Sequence, residues 1–433
     1  MVYLSRVVDE ELDALLPGLA ALTLDGAKGV GKTATATRRA ATVFALDDAG
    51  QRDLLAADPG RLARAPRPVL VDEWQRFPPV WDMVRRGVDA DPSPGQYLLT
   101  GSATPSRDAP VHSGAGRIVQ VRMRPLSFAE RGLCPTTVSV ADLLSGGRPA
   151  IDGDSSLTLP DYVQEILASG FPGIRALPER ARRAQLDGYL ARVVDRDFPE
   201  QGHPVRRPAS LRAWLAAYAA ATATTASYNT ILNAATPGEG DKPAKTTVIG
   251  YRDVLTGLWL LDPVPGWSPS RSALARLQEA PKHHLADPAL AARLLGATHD
   301  SLLSGDSLPL SPRDGTLLGA LFESLVALSV RVAAQNAEAS TWHLRTGNGD
   351  HEVDFILQRS DHKVVALEAK LAGTVSDKDT VHLRWLAQRL GSDLLDAAVV
   401  TTGRHAYRRT VMPLTEIPQC CSPEIPHFVA WSG

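Results

Sequence analysis

Gly26-Ala27-Lys28-Gly29-Val30-Gly31-Lys32-Thr33 decides the fold of this 433-residue chain. The stretch fits G-x-x-x-x-G-K-[ST], a loop whose backbone N–H groups cradle phosphate oxygens. Leu22-Thr-Leu24 before it reads as the end of a strand, and Thr33 to Ala41 after it as a helix start. That is the strand–loop–helix setting the motif needs. The glycines open conformations that let consecutive N–H groups point at an anion, and the helix N-terminus adds partial positive charge. On this reading Gly26 to Thr33 bind the phosphates of ATP, Lys32 reaches the β- and γ-phosphates, and the Thr33 hydroxyl ligates Mg²⁺. The expected partners are therefore ATP and ADP.

Outward from the loop, Pro68-Val-Leu-Val-Asp72-Glu73 is an apolar strand ending in two carboxylates, about 40 residues after the loop. Asp72 is expected to hold the metal and Glu73 to polarise the attacking water. Thr100 ends the next strand, Leu98-Leu-Thr-Gly. It is read either as a hydroxyl lying between the two earlier strand ends and sensing the γ-phosphate, or as a turn cap. Arg117, in Gly114-Ala-Gly-Arg-Ile, is either a finger acting in trans on a second copy of a homo-oligomer or a solvated surface arginine.

Short apolar strands at Val43, Val69, Tyr97 and Ile118 alternate with helical patterns. Alternation with near-continuous apolar strands implies a parallel sheet covered by helices on both faces. The fold class is therefore α/β, of P-loop NTPase type. Composition is that of a globular protein, with 44% hydrophobic and 22% charged residues. A net charge of −2 requires any DNA contact to come from a local basic face. No apolar run free of charges reaches the roughly 18 residues that span a bilayer. The first residues lack a signal peptide's apolar core, so the expected location is the cytoplasm, with no membrane partner. Cys134, Cys420 and Cys421 make neither a disulfide scaffold nor a zinc pattern.

Further along, helical patterns cover Leu159–Ser169, Glu179–Val194, Leu211–Ala221, a short helix starting at Tyr228-Asn-Thr-Ile-Leu, and Thr246–Thr256, and Gly257-Leu-Trp-Leu-Leu261 looks like a strand. Three helices followed by a strand suggest a winged helix, with Thr246, Thr247, Tyr251 and Arg252 as groove readers. Arg180, Arg182, Arg183, Arg192, Arg196, Arg206, Arg207, Arg212, Lys242 and Lys245 form either a phosphate-contacting face or a solvated helix surface. His283-His284 reads as structural.

The combination of Gly26 to Thr33, Val69-Leu-Val-Asp-Glu-Trp-Gln, Leu99-Thr-Gly-Ser-Ala and Met123-Arg-Pro-Leu-Ser-Phe-Ala-Glu130 resembles bacterial and archaeal AAA-type ATPases with a C-terminal domain of unknown function. The resemblance implies an ATPase domain over residues 1–135, a helical lid or linker over 136–205, a winged-helix-like domain over 206–303 and a further α/β domain over 304–433.

In that last segment, His351-Glu-Val-Asp354 and Val364-Val-Ala-Leu-Glu368-Ala-Lys370 lie on successive strand patterns. Glu368 and Lys370, two apart, share one face. Asp354, Glu368 and Glu323 from the preceding helix can together hold Mg²⁺ and position a water, with Lys370 stabilising charge on phosphate. The pattern V-D…L-E-A-K resembles the PD-(D/E)XK nuclease signature, with Val353 in place of proline. It implies a restriction-endonuclease-like domain that either cleaves DNA or keeps the fold without the activity. The expectation for the whole chain is Mg²⁺-dependent ATP hydrolysis coupled to a DNA-related task. The alternatives are an ATP-switched nuclease and a nucleotide-binding scaffold.

Overall fold

The computed structural model describes residues 3–102, 114–135, 137–203, 205–236, 243–268, 280–304, 316–347, 349–410 and 424–428. Lys242, Cys420 and Cys421 lie outside them. The N-terminal part is built on five parallel strands: β1 (Ala21–Asp25), β2 (Thr42–Ala45), β3 (Val69–Asp72), β4 (Tyr97–Gly101) and β5 (Ile118–Arg122). Their order across the sheet is β2-β3-β4-β1-β5. The strands β3 and β4 are buried throughout, as expected of a parallel sheet with helices on both faces. Because every strand runs the same way, Asp25, Asp72 and Thr100 come to one edge. β4 pairs with β1 on one side and β3 on the other, which puts Thr100 between the phosphate loop and Asp72.

A second sheet of eight strands has the order β6-β12-β13-β11-β10-β9-β8-β7. Its centre is β8 (Ser340–Arg345), β9 (Glu352–Gln358), β10 (Val364–Lys370) and β11 (Leu394–Thr401), followed by β12 (His405–Thr410) and β13 (Glu424–Phe428). The two edges come from earlier in the chain. They are β6 (Asp152–Asp154), paired with β12, and β7 (Gly266–Trp267), paired with β8. The sheet therefore extends beyond residues 304–433. An Asp-Gly-Asp strand and a two-residue strand carry no apolar pattern for sequence reading to detect.

Helices Pro208–Ala220, Tyr228–Ala235 and Lys245–Gly257 make the expected three-helix group. The strand expected over Gly257–Leu261 is absent: the last helix continues through Gly257, Trp259 adopts φ 61°, and only Leu261 forms a bridge, to Leu285. A short apolar run does not by itself distinguish a helix end from a strand.

Helix Leu317–Asn336 is the one among the described residues long and apolar enough to cross a membrane, yet 67% of its apolar window is buried. It packs against the first helix, Val7–Leu15, and against β8, β9 and β10. It thus touches both halves of the molecule.

Candidate functional site

The phosphate loop leaves β1 at Asp25 and turns sharply. A Cβ on Gly26 would sit 2.1 Å from the Met123 carbonyl oxygen, so only glycine allows β5 to approach so closely. Gly31 caps helix Lys32–Thr37 at φ 107°, a left-handed conformation that favours glycine. Lys32 is buried, and its Nζ donates to the Gly26 and Ala27 carbonyl oxygens at 2.8 and 2.9 Å. Burial lowers its pKa to about 8 against the pull of Glu73, Asp25 and Asp72. Lys28 pairs with Asp197 from the segment following helix Glu179–Arg192, and Tyr189 donates its hydroxyl to the Lys28 carbonyl at 3.3 Å.

Asp72 collects two hydroxyls on one oxygen: Thr33 donates to Oδ1 at 2.8 Å, and Thr100 donates to the same atom. With its proton on Asp72, the Thr33 oxygen keeps its lone pairs for a cation. A hydroxyl and a carboxylate are the hard oxygen donors Mg²⁺ prefers, so Thr33 and Asp72 fit that ion.

Glu73 follows at φ 53°, ψ 45°, a left-handed conformation that costs a non-glycine residue about 1–3 kcal/mol and clusters at functional sites. Its Oε2 accepts from Gln75 Nε2 at 2.6 Å and from Ser102 Oγ at 3.2 Å. Its backbone N–H donates to Thr100 Oγ1 at 3.3 Å.

Arg117 is not in this group. It precedes β5, whose first residue pairs with Ala21 at the opposite end of β1, roughly 15 Å along the strand from the loop at 3.3 Å per residue. Its Nε bonds Asp89 at 2.8 Å, and the side chain is exposed.

Sequence reading missed Arg6. Its buried guanidinium donates to Val30 O in the loop at 2.8 Å and to Arg124 O at 2.7 Å, and it pairs with Glu130 at 3.1 Å. Nothing near Arg6 in sequence announces partners 24 and 118 positions away. Asp262 was missed too. It binds Arg122, Arg124 and Arg331 at 2.9, 2.9 and 2.6 Å. Burial opposes its charge, but the three guanidiniums outweigh burial and hold the carboxyl well below the usual range. Arg331 lies on helix Leu317–Asn336, as does Gln335, which bonds Arg124 at 2.9 Å and Arg122 O at 2.8 Å.

At the other end of that helix, Glu323 meets Asp354 on β9, and the atom between them is Lys282 Nζ. Lys282 was not anticipated. It lies 2.8 Å from Asp354, 3.0 Å from Glu323 and 3.1 Å from Glu352. Glu368 is buried on β10 and bonds Lys370 at 2.9 Å. Among the described residues no three His, Cys, Asp or Glu side chains converge as a metal-holding group. Glu323 and Glu368 both lie against Asp354; burial and then the Asp354 charge push their carboxyls up, with Lys282 inserted on the Glu323 side.

In the three-helix segment, Tyr251 is buried and packs edge-on against Trp214 and Phe198. It is not placed to read a groove. Thr246 and Thr247 are exposed. Arg183, Arg196 and Arg212 pair with Glu179, Glu200 and Asp195, as on a solvated helix surface. His283 and His284 are buried.

Family models match three stretches of the chain. Residues 20–132 match the family model of an AAA domain. Residues 159–301 match a domain of unknown function, DUF8612, and residues 318–419 another, DUF4143. Residues 20–132 are thus similar to AAA-type ATPases, which bind nucleotide. An uncharacterized protein of Mycobacterium bovis and one of Mycobacterium tuberculosis are each 27% identical over 351 residues, covering 78% of this chain. The match spans 66% of the length of each relative, just under two thirds.

Proposed function

We propose that the chain binds ATP with Mg²⁺ at Gly26–Thr33 and hydrolyses it. The observation that supports this most is the meeting of Thr33, Asp72 and Thr100 on one carboxylate oxygen beside Glu73. Binding alone does not need two hydroxyls fixed on Asp72 beside a strained Glu73. When bound, Mg²⁺ would supply positive charge that offsets the charge of the phosphates. Thr33 and Asp72 would hold it. Lys32 would exchange the Gly26 and Ala27 carbonyls for phosphate oxygens. Glu73 would accept hydrogen bonding from the attacking water once Gln75 and Ser102 release it. Thr100 would fix Asp72 between the loop and β3.

Arg117 would act only on a neighbouring copy in a homo-oligomer, after leaving Asp89. The link to the remaining domains runs through Arg6, Arg124 and Asp262 to helix Leu317–Asn336, and a DNA-related task would draw on the exposed end of helix Lys245–Gly257. Glu73→Gln tests the reading: retained ATP binding with phosphate release lost is expected, and an unchanged release rate would contradict it. Running the same assay with and without duplex DNA tests the coupling.

A further inference from the structure

Lys282 reaches the C-terminal carboxylates from outside their sheet. It sits in a segment that pairs with the chain after helix Lys245–Gly257, through the bridges Val264↔Lys282 and Leu261↔Leu285. That pairing drives a lysine into the interior, where it is 1% exposed. An ammonium has three N–H donors. Here the carboxylates of Glu323, Glu352 and Asp354, from a helix and a strand, surround it at 2.8 to 3.1 Å. The second Asp354 oxygen accepts the Ala369 N–H at 2.9 Å.

A divalent cation drawing on the same oxygens would need a common point within about 2.0–2.6 Å of them. The ammonium nitrogen, 2.8 to 3.1 Å from those oxygens, fills the space between them, and a cation cannot share it. We propose that Lys282 is the built-in cation of this site: it stands where a metal would stand among Glu323, Asp354 and Glu352. The C-terminal domain thereby keeps its acidic residues as a clasp between two parts of the chain and does not carry out metal-dependent phosphodiester cleavage.

Electrostatics agree with the geometry. Burial and the neighbouring Asp354 charge push Glu323 up to about 8 and Glu368 well above its usual range. Burial resists the Asp354 charge too, but Lys282 and then Lys370 outweigh it and keep that carboxyl ionised. The inference is independent of ATP turnover, because none of these groups touches the phosphate loop.

The test uses the full chain without nucleotide and Mn²⁺ as probe, with bound Mn²⁺ read by EPR and thermal stability read alongside. Wild type should bind no more Mn²⁺ than Asp354→Asn or the milder Glu352→Gln. Lys282→Ala should gain one site and show a melting temperature that rises with Mn²⁺, and adding Asp354→Asn should remove both. Wild-type Mn²⁺ binding that Asp354→Asn or Glu352→Gln abolishes would overturn the proposal, and so would a folded Lys282→Ala that gains none. If Lys282→Ala folds only when Mn²⁺ is present, the proposal is supported. If it does not fold at all, the wild-type comparison decides.

Discussion

Two buried lysines serve opposite chemistries in this molecule. Lys32 and Lys282 are 5% and 1% exposed, and each lies near strand-borne carboxylates. Lys32 bonds two neutral carbonyls, so no carboxylate touches its charge, and burial outweighs the pull of Glu73, Asp25 and Asp72 and lowers its pKa. Lys282 bonds three carboxylates, which raise its pKa well above the ordinary value against the cost of burial. The acceptor, more than the lysine, sets the role. A lysine held by carbonyls can turn to an incoming phosphate, whereas one held by carboxylates is already neutralised and locks its neighbours in place.

Removing each charge should separate the two roles. Lys282→Ala leaves buried acids without a cation, a change that typically costs about 3–5 kcal/mol. Urea unfolding should show that loss, and a change below about 1 kcal/mol would mean that the clasp contributes no more than a surface pair. Lys32→Ala should hardly alter unfolding but should slow phosphate release by about 100-fold or more, the usual effect of losing one charge-stabilising donor. If the two variants exchanged these phenotypes, the contrast would fail.

Titration sharpens the comparison further. Glu323 has a folded pKa of about 8 against a usual 4.5, so between those values the folded state holds a proton the unfolded chain has released. Stability should therefore fall as pH rises through that window. Glu323→Gln should flatten the slope in melting curves taken across it; a slope unchanged by the substitution would assign the effect elsewhere. The smallest effect concerns Lys32. With its pKa near 8, ATP binding at pH 8 should take up a fraction of a proton as phosphate restores the charge, and the uptake should vanish by pH 6. Calorimetry in two buffers of different ionisation heat would reveal it.

What was legible in the sequence follows the same division. The nucleotide site is written in local strings at the ends of parallel strands, so Lys32, Thr33, Asp72, Glu73 and Thr100 are all visible from spacing. The pairing of Asp354 with Ala369 and of Glu368 with Lys370 was half legible, since the strands carrying them are strongly apolar. Lys282 was not, because its partners lie on elements more than forty residues downstream and its own neighbourhood, Pro281-Lys-His-His284, looks like a polar turn. Arg6 and Asp262 escaped for the same reason. Long-range ion pairs between domains leave no periodic mark.

The eight-stranded sheet has a practical consequence. Its edges, β6 and β7, come from residues 152–154 and 266–267, outside the region matched to DUF4143. A fragment starting near residue 318 would uncover the free backbones of β12 and β8, and exposed strand edges invite sticking to other chains. It would also forfeit Lys282. The modular picture suggested by family boundaries therefore misleads anyone dissecting this protein: the last hundred residues are completed by pieces threaded in from upstream, and deletion experiments on them would report aggregation before they reported function.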